Sequence, residues 1–415
     1  MSLTIRKPFL ILVLLSLLLG VAAPGHAITF VEATGPDLSA HESAPGSPST
    51  FVAGPYVQNM STRGVTIMWQ TDRPSVCEVF VMGGNANGRY VTEDARCLGE
   101  VTIGDLAPDT GYIYRVTVID SENSAHRRPL RGGGVFNTFP DKERPVKFIV
   151  YGDSRSRPER HAKVISAMMS DRDADFALHT GDIVGSGWPD EWVPEFFAPA
   201  DGVIGRTPFF PALGNHENNS PLYFRYFSLP GAERWYSFDI LNVHIVVLDS
   251  NVSFDEGSEQ CQWLIADLDR HRRAGWVFVM MHHPVYTSGW HGALGEDGLP
   301  REEPIRIGQR LFPRLAKEYG ITAFFSGHDH QYEHGIVDGV HYVISGGGGA
   351  PGNKDNEVEK KDNKYGGFSC AVLHYCVVTV DGDSALLVAK TIDGKVLDTF
   401  EMETLRARSA VRRSP

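Results

Sequence analysis

From residue 146 onward, short apolar runs alternate with stretches of helical spacing. The runs at 146–150, 176–178, 209–213, 277–281 and 322–325 each read as a strand. Between the first two, 157–170 places Ile165, Met168 and Met169 on a helical repeat, which makes a βαβ unit. An amphipathic helix is predicted over 260–272, with Leu264 and Leu268 on one face, and another over 305–319. The stretch 235–249 reads as two strands, and 341–400 is again strand-rich. Ahead of 146 the pattern differs. Across 51–139, β-prone runs at 64–69 and 78–81, then a turn over 106–111 leading into 112–116, predict a small β-sandwich. A charged linker over 140–145 joins the two parts. A Pro-, Ser- and Gly-rich lead-in over 28–50 and a basic tail over 401–415 flank them.

Five polar clusters closely follow the five apolar runs: Gly152-Asp153, Gly181-Asp182, Gly214-Asn215-His216-Glu217, His282-His283 and Gly327-His328-Asp329-His330. Polar groups at the ends of successive core strands converge on one edge of a sheet, where open α/β sheets place their sites. Carboxylate, amide and imidazole together suit a pair of metal ions. Two adjacent ions are a device for phosphoryl transfer.

A chain of 415 residues is too long for one ordinary core, so two domains are expected. The formal net charge of −12 disfavours a nucleic-acid polymer as partner. It leaves small phosphorylated substrates open, since metal ions supply local positive charge. Arg6 and Lys7 precede an apolar stretch over 9–23 and small residues up to Ala27. That pattern predicts a secretory leader over 1–27, cleaved to release a secreted or periplasmic chain without a membrane anchor. Among the five cysteines, Cys77 with Cys97 and Cys370 with Cys376 are open pairings, and Cys261 is left over as a buried thiol. Asn59-Met60-Ser61 and Asn251-Val252-Ser253 are glycosylation sequons. The glycines at 346–349 lack the Lys-Ser or Lys-Thr of a phosphate loop and read instead as a close-packed loop near the metals.

In that order, the GD, GD, GNHE, HH and GHxH clusters resemble the motif series of calcineurin-like metallophosphoesterases, and most of all the purple acid phosphatase branch, over about 51–400. The tryptophan run at 64–69 and the segment 106–116 are similar to fibronectin type III domains. The resemblance implies a four-layer α/β/β/α sandwich over 146–400, preceded by a small all-β sandwich over 51–139. It implies that Asp153 and His330 bind the first metal, that Asn215, His282 and His328 bind the second, and that Asp182 bridges them. The ions implied are iron with zinc, iron with manganese, or two zinc. The resemblance implies that hydroxide generated there attacks phosphorus in a phosphomonoester; phosphodiesters, or a degenerate surface-binding scaffold, are the alternatives. His216 is expected to protonate the leaving alcohol and His291 to contact phosphate. Glu217 and Asp329 are expected to orient the ligands, and His283 to support them or merely pack beside them. Two positions depart from the family. Gly185 stands where purple acid phosphatases carry an iron-binding Tyr, and Arg155 stands where other branches carry a His. A purple colour is therefore not expected, and Arg155 is assigned to the substrate phosphate. Trp188, Trp192 and Tyr223 are left between the pocket mouth and the core.

Overall fold

A computed structural model describes residues 49–119 and 131–404. The expected leader, nearly all of the lead-in and the tail beyond 404 lie outside the described residues.

Six strands come first: β1 (Phe51–Gln58), β2 (Val65–Gly83), β3 (Ala86–Val91), β4 (Arg96–Ile103), β5 (Gly111–Ile119) and β6 (Arg131–Asn137). The two runs expected at 64–69 and 78–81 are one strand of 19 residues. The first half of β2 pairs with β1 and β4, the second with β3 and β5. The exchange falls around Pro74, where the register against β4 shifts between Gln70 and Ser75. Proline has no N–H to give a central ladder, so the strand leaves one set of neighbours there and takes up another. One continuous strand thus serves both halves of the sandwich.

The larger part opens with β7 (Val146–Tyr151), α1 (Pro158–Met168), β8 (Phe176–His179), α2 (Ala198–Ile204), β9 (Phe209–Pro211) and α3 (Tyr223–Tyr226). It continues with β10 (Tyr236–Ile240), β11 (Val243–Val247), α4 (Glu259–Arg270), β12 (Trp276–Met280), α5 (Glu303–Tyr319) and β13 (Ile321–Ser326). It ends with β14 (Tyr332–Val337), β15 (Val340–Ser345), β16 (Lys361–Asp362), β17 (Phe368–Cys370), β18 (His374–Asp381), β19 (Ser384–Thr391) and β20 (Val396–Glu403). These strands form two sheets, ordered β10-β11-β12-β13-β15-β14-β17-β16 and β20-β19-β18-β7-β8-β9.

The central strands are parallel and buried on both faces, so their sequences are unbroken apolar runs. β12 shows the two sides. Val277 and Val279 pack with Leu264, Leu268, Leu311 and Leu315 of α4 and α5. Phe278 turns the other way and meets Phe148 of the second sheet, ring centroids 5.7 Å apart. Helices therefore cover the outside of two facing sheets, the four-layer arrangement expected. Ser258 caps α4 by accepting from the amide of Cys261, and Gly320, at φ 76°, ends α5 in the left-handed conformation.

Tyrosines fasten the sandwich to the larger part. Tyr56 donates to the carbonyl of Tyr226 at 2.7 Å, Tyr226 donates to Gln70 at 2.9 Å, and Tyr114 donates to the carbonyl of Gly205 at 2.8 Å. All five cysteines are free thiols, so neither open pairing is formed. Cys77 lies on the half of β2 that has already turned away from β4, where Cys97 sits. Trp192 and Tyr223 are core residues, whereas Trp188 is 65% exposed.

Candidate metal centre

The parallel strands bring their carboxyl ends to one edge. β7 leads to Asp153, β8 to Asp182, β9 to Asn215, β12 to His282, and β13 to His328 and His330. Asp153 (φ 57°), Asp182 (φ 55°) and His328 (φ 70°) all adopt the left-handed conformation. That costs a non-glycine residue about 1–3 kcal/mol and persists only where the surroundings enforce it. Two glycines show how closely the backbone approaches. A Cβ on Gly214 would lie 2.2 Å from Asp182 Oδ1, and one on Gly327 would lie 2.2 Å from Asp153 Oδ2.

The six expected ligands are brought together. His282 Nε2 lies 3.0 Å from Asn215 Oδ1, 3.1 Å from His328 Nδ1 and 3.3 Å from Asp182 Oδ1. His330 Nε2 lies 3.6 Å from Asp153 Oδ1. Ligand atoms of Asp153, Asp182 and His282 all fall within 4.8 Å of one another. Each imidazole is also fixed from behind. His282 Nδ1 lies 2.9 Å from the carbonyl of Thr180, His330 Nδ1 lies 2.6 Å from that of Pro351, and His328 Nε2 lies 2.9 Å from Glu302 Oε2. The outward nitrogens face acceptors and so carry the protons, which leaves the inward nitrogens as bare lone pairs. Inward lone pairs of His282 and His328 then face each other and the oxygens of Asn215 and Asp182. Such a set is repulsive without a cation among them. The donors therefore fit metal ions, and their nitrogen and oxygen chemistry suits iron, zinc or manganese.

Electrostatics point the same way. Burial pushes the Asp153 carboxyl far above its usual range, and the charge of Asp182 adds to this. Burial acts on Asp182 too, but the imidazoles of His282 and His216 outweigh it and bring that carboxyl down to about 2. Burial also lowers His282 to about 4, which keeps its inner nitrogen bare.

The neighbouring residues divide their work. Glu217, fully buried, accepts from the amides of Asp182, Ile183, Val184 and Gly214 at 2.6–3.2 Å. It thereby locks two of the ligand loops together. His216 gives its amide to Asp182 Oδ1 at 3.1 Å, its Nδ1 lies 2.7 Å from the carbonyl of Gly185, and its side chain is 33% exposed. Arg155 reaches Asp182 Oδ2 with Nε at 3.2 Å and is 16% exposed, so it is no surface ion pair. The His291 ring lies 3.7 Å from that of His328, and its Nδ1 hydrogen-bonds Glu302. His283 packs against His328 at 4.3 Å and is held by Ser250 at 2.8 Å. Asp329 does not orient a ligand as expected. It hydrogen-bonds Thr287 and accepts from the amide of His291 at 3.3 Å, pinning the 287–291 loop instead. The glycine loop is close-packed as expected: a Cβ on Gly346 would lie 3.0 Å from Asp153 Oδ2.

Two residues of this centre have no signal in the sequence. Glu302 precedes α5 and holds both His328 and His291. Glu195 accepts from the amides of Ser156 and Gly185, both at 2.8 Å, and so joins the loops after Asp153 and Asp182.

Residues 146–332 match the family model for calcineurin-like phosphoesterases. The chain is 27% identical over 354 residues to probable purple acid phosphatase 20 of Arabidopsis thaliana, covering 78% of each chain. It is 30% identical over 251 residues to purple acid phosphatase 22 of the same plant, spanning 56% of this chain and about half of that one, 52%. The solved structure of purple acid phosphatase PPD1 from yellow lupin seeds shares the fold, with a TM-score of 0.70 over 86% of this chain and 74% of that one, at 16% identity.

Proposed function

We propose that this chain, a purple acid phosphatase-like member of the calcineurin-like phosphoesterases, is an exported hydrolase of phosphomonoesters that works with two metal ions. The observation that carries the metal dependence is the set of three imidazoles whose outer nitrogens are occupied and whose inner ones are bare. On this reading Asp153 and His330 would hold one ion, Asn215, His282 and His328 would hold the other, and Asp182 would serve both. The ions would supply charge to phosphate oxygens and lower the pKa of a water.

The chain's own groups do the rest. His216 is fixed through its amide and Nδ1, so its Nε2 keeps a constant heading; in the protonated form it gives that proton to the leaving alcohol. Arg155 lies against the Asp182 carboxylate, where its guanidinium would meet phosphate oxygens. Burial lowers the proton affinity of His291, but its hydrogen bond to Glu302 outweighs that and raises it, which favours contact with a phosphate. Glu217 and Glu195 keep the loops rigid.

Export is supported by the charged and apolar pattern at the N-terminus. No described helix is long and apolar enough to cross a membrane.

The deciding experiment compares p-nitrophenyl phosphate with bis-p-nitrophenyl phosphate on one sample of known metal content. Two ions per chain and a faster monoester support the proposal. A faster diester moves the chain to the phosphodiesterases. No bound metal, and no turnover on adding zinc, manganese or iron, leaves a binding scaffold.

A further inference from the structure

A second group of metal-ligand side chains shares no residue with the metal centre. Asp239 of β10 and His244 of β11 are cross-strand partners, and His271 follows the last residue of α4. Asp239 Oδ1 is 2.8 Å from His244 Nδ1, and Asp239 Oδ2 is 3.4 Å from His271 Nε2. One ligand atom from each of the three falls within 4.8 Å of the others. A tetrahedral ion with bonds of about 2.0–2.2 Å sets its nitrogen and oxygen ligands roughly 3.3 Å apart, so small adjustments fit one here.

The residue behind this group carries the case further. Asp267 Oδ2 lies 2.9 Å from His244 Nε2, and the Asp267 carbonyl lies 2.8 Å from His271 Nδ1. One residue therefore sets both tautomers, turning His244 Nδ1 and His271 Nε2 toward Asp239. Arg270 occupies Asp267 Oδ1 at 2.9 Å, so Asp267 has both oxygens engaged and acts as the orienting carboxylate of a carboxylate–histidine–metal arrangement. The two rings are stacked 3.9 Å apart at 16°. His271 must tilt for both lone pairs to meet one ion, and at 28% exposure it has room to do so. The Asp239 side chain is 54% exposed, which opens a fourth position to water.

We infer that Asp239, His244 and His271 form a further site for a borderline divalent ion of the zinc, cobalt or nickel class, distinct from the proposed pair at the metal centre. The ion ties the β10–β11 hairpin to the end of α4. His244 pairs with Val277 of β12, five residues before the ligand His282, or about 16 Å along an extended strand, so the ion serves the framework and not the chemistry.

The test counts zinc ions per chain by mass spectrometry after chelator stripping and reloading, for the full-length protein, Asp239→Asn and His271→Ala. Each variant is expected to hold one ion fewer than the parent and to lose part of the zinc-induced rise in melting temperature, with p-nitrophenyl phosphate turnover unchanged. Equal counts in parent and variants overturn the inference. Because Asp239 is half exposed, its variant is expected to fold even if His271→Ala does not. The difference in count reads this site whether or not the metal centre holds two ions.

Discussion

His282 Nε2 and His328 Nδ1 face each other across 3.1 Å, while the opposite nitrogen of each ring already serves the Thr180 carbonyl and the Glu302 carboxylate. Two lone pairs so placed need a cation between them. The proton on the far side of His328 is kept there by Glu302, a residue that touches no ion in the proposed arrangement.

Glu302→Gln should therefore weaken metal retention about 10–100-fold without unfolding the chain. Dialysed samples are expected to lose turnover and regain much of it with added metal. Undiminished metal affinity, measured by competition with a chelator, would remove Glu302 from the site.

His216→Ala should keep the metals and lose roughly 10²–10⁴-fold in turnover for esters of poor leaving groups, and far less for p-nitrophenyl phosphate. Rates across a series of aryl and alkyl phosphates check this. Equal losses along the series would argue against proton donation.

Gly327→Ala places a methyl group 2.2 Å from Asp153 Oδ2. Far-ultraviolet circular dichroism should be unchanged, while metal content and turnover fall together. Normal metal content would mean that the 327–330 turn yields more easily than its close packing indicates.

Asp171 tests the acid side of stability. It is buried, a condition that raises a carboxyl, yet Lys390 at 2.9 Å, Lys147 at 3.0 Å and the Tyr375 hydroxyl at 2.9 Å bring it down to about 2. Its folded value lies below the unfolded one, about 3.9. The stabilisation is thus complete above that value and is lost as pH falls from about 4 toward 2. It amounts to roughly 1–2 kcal/mol after allowance for solvent screening. Asp171→Asn should lower the melting temperature at neutral pH and flatten its decline over that acid window. An unchanged slope would show that other carboxylates govern acid unfolding.

Iron-loaded protein should not be purple, because Gly185 offers no tyrosinate and its carbonyl is engaged with His216. A purple tyrosinate-to-iron band from the iron-loaded sample would mean that another tyrosine reaches the ion.

The strands leading to the centre were legible because parallel strands buried on both faces leave unbroken apolar runs, as in β12. The polar clusters were legible because the chain must turn where each run stops. Contacts across long separations were not. Glu302 meets His328 26 positions away, and in the sequence it is only an acid before a helix. Asp329 was misread because His328 turns at φ 70°, and the next side chain goes to the 287–291 loop. Pro74 made β2 look like two strands, although the chain runs straight on into the other half of the sandwich.

The hydroxyls of Tyr56 and Tyr114 bond to carbonyls of the larger part, and Tyr226 answers back to Gln70. A tether of loose residues would let the metal centre swing. These bonds instead give the strand edge that carries the metal centre a fixed bearing relative to the sandwich, so whatever surface grips the sandwich also decides which way that edge faces.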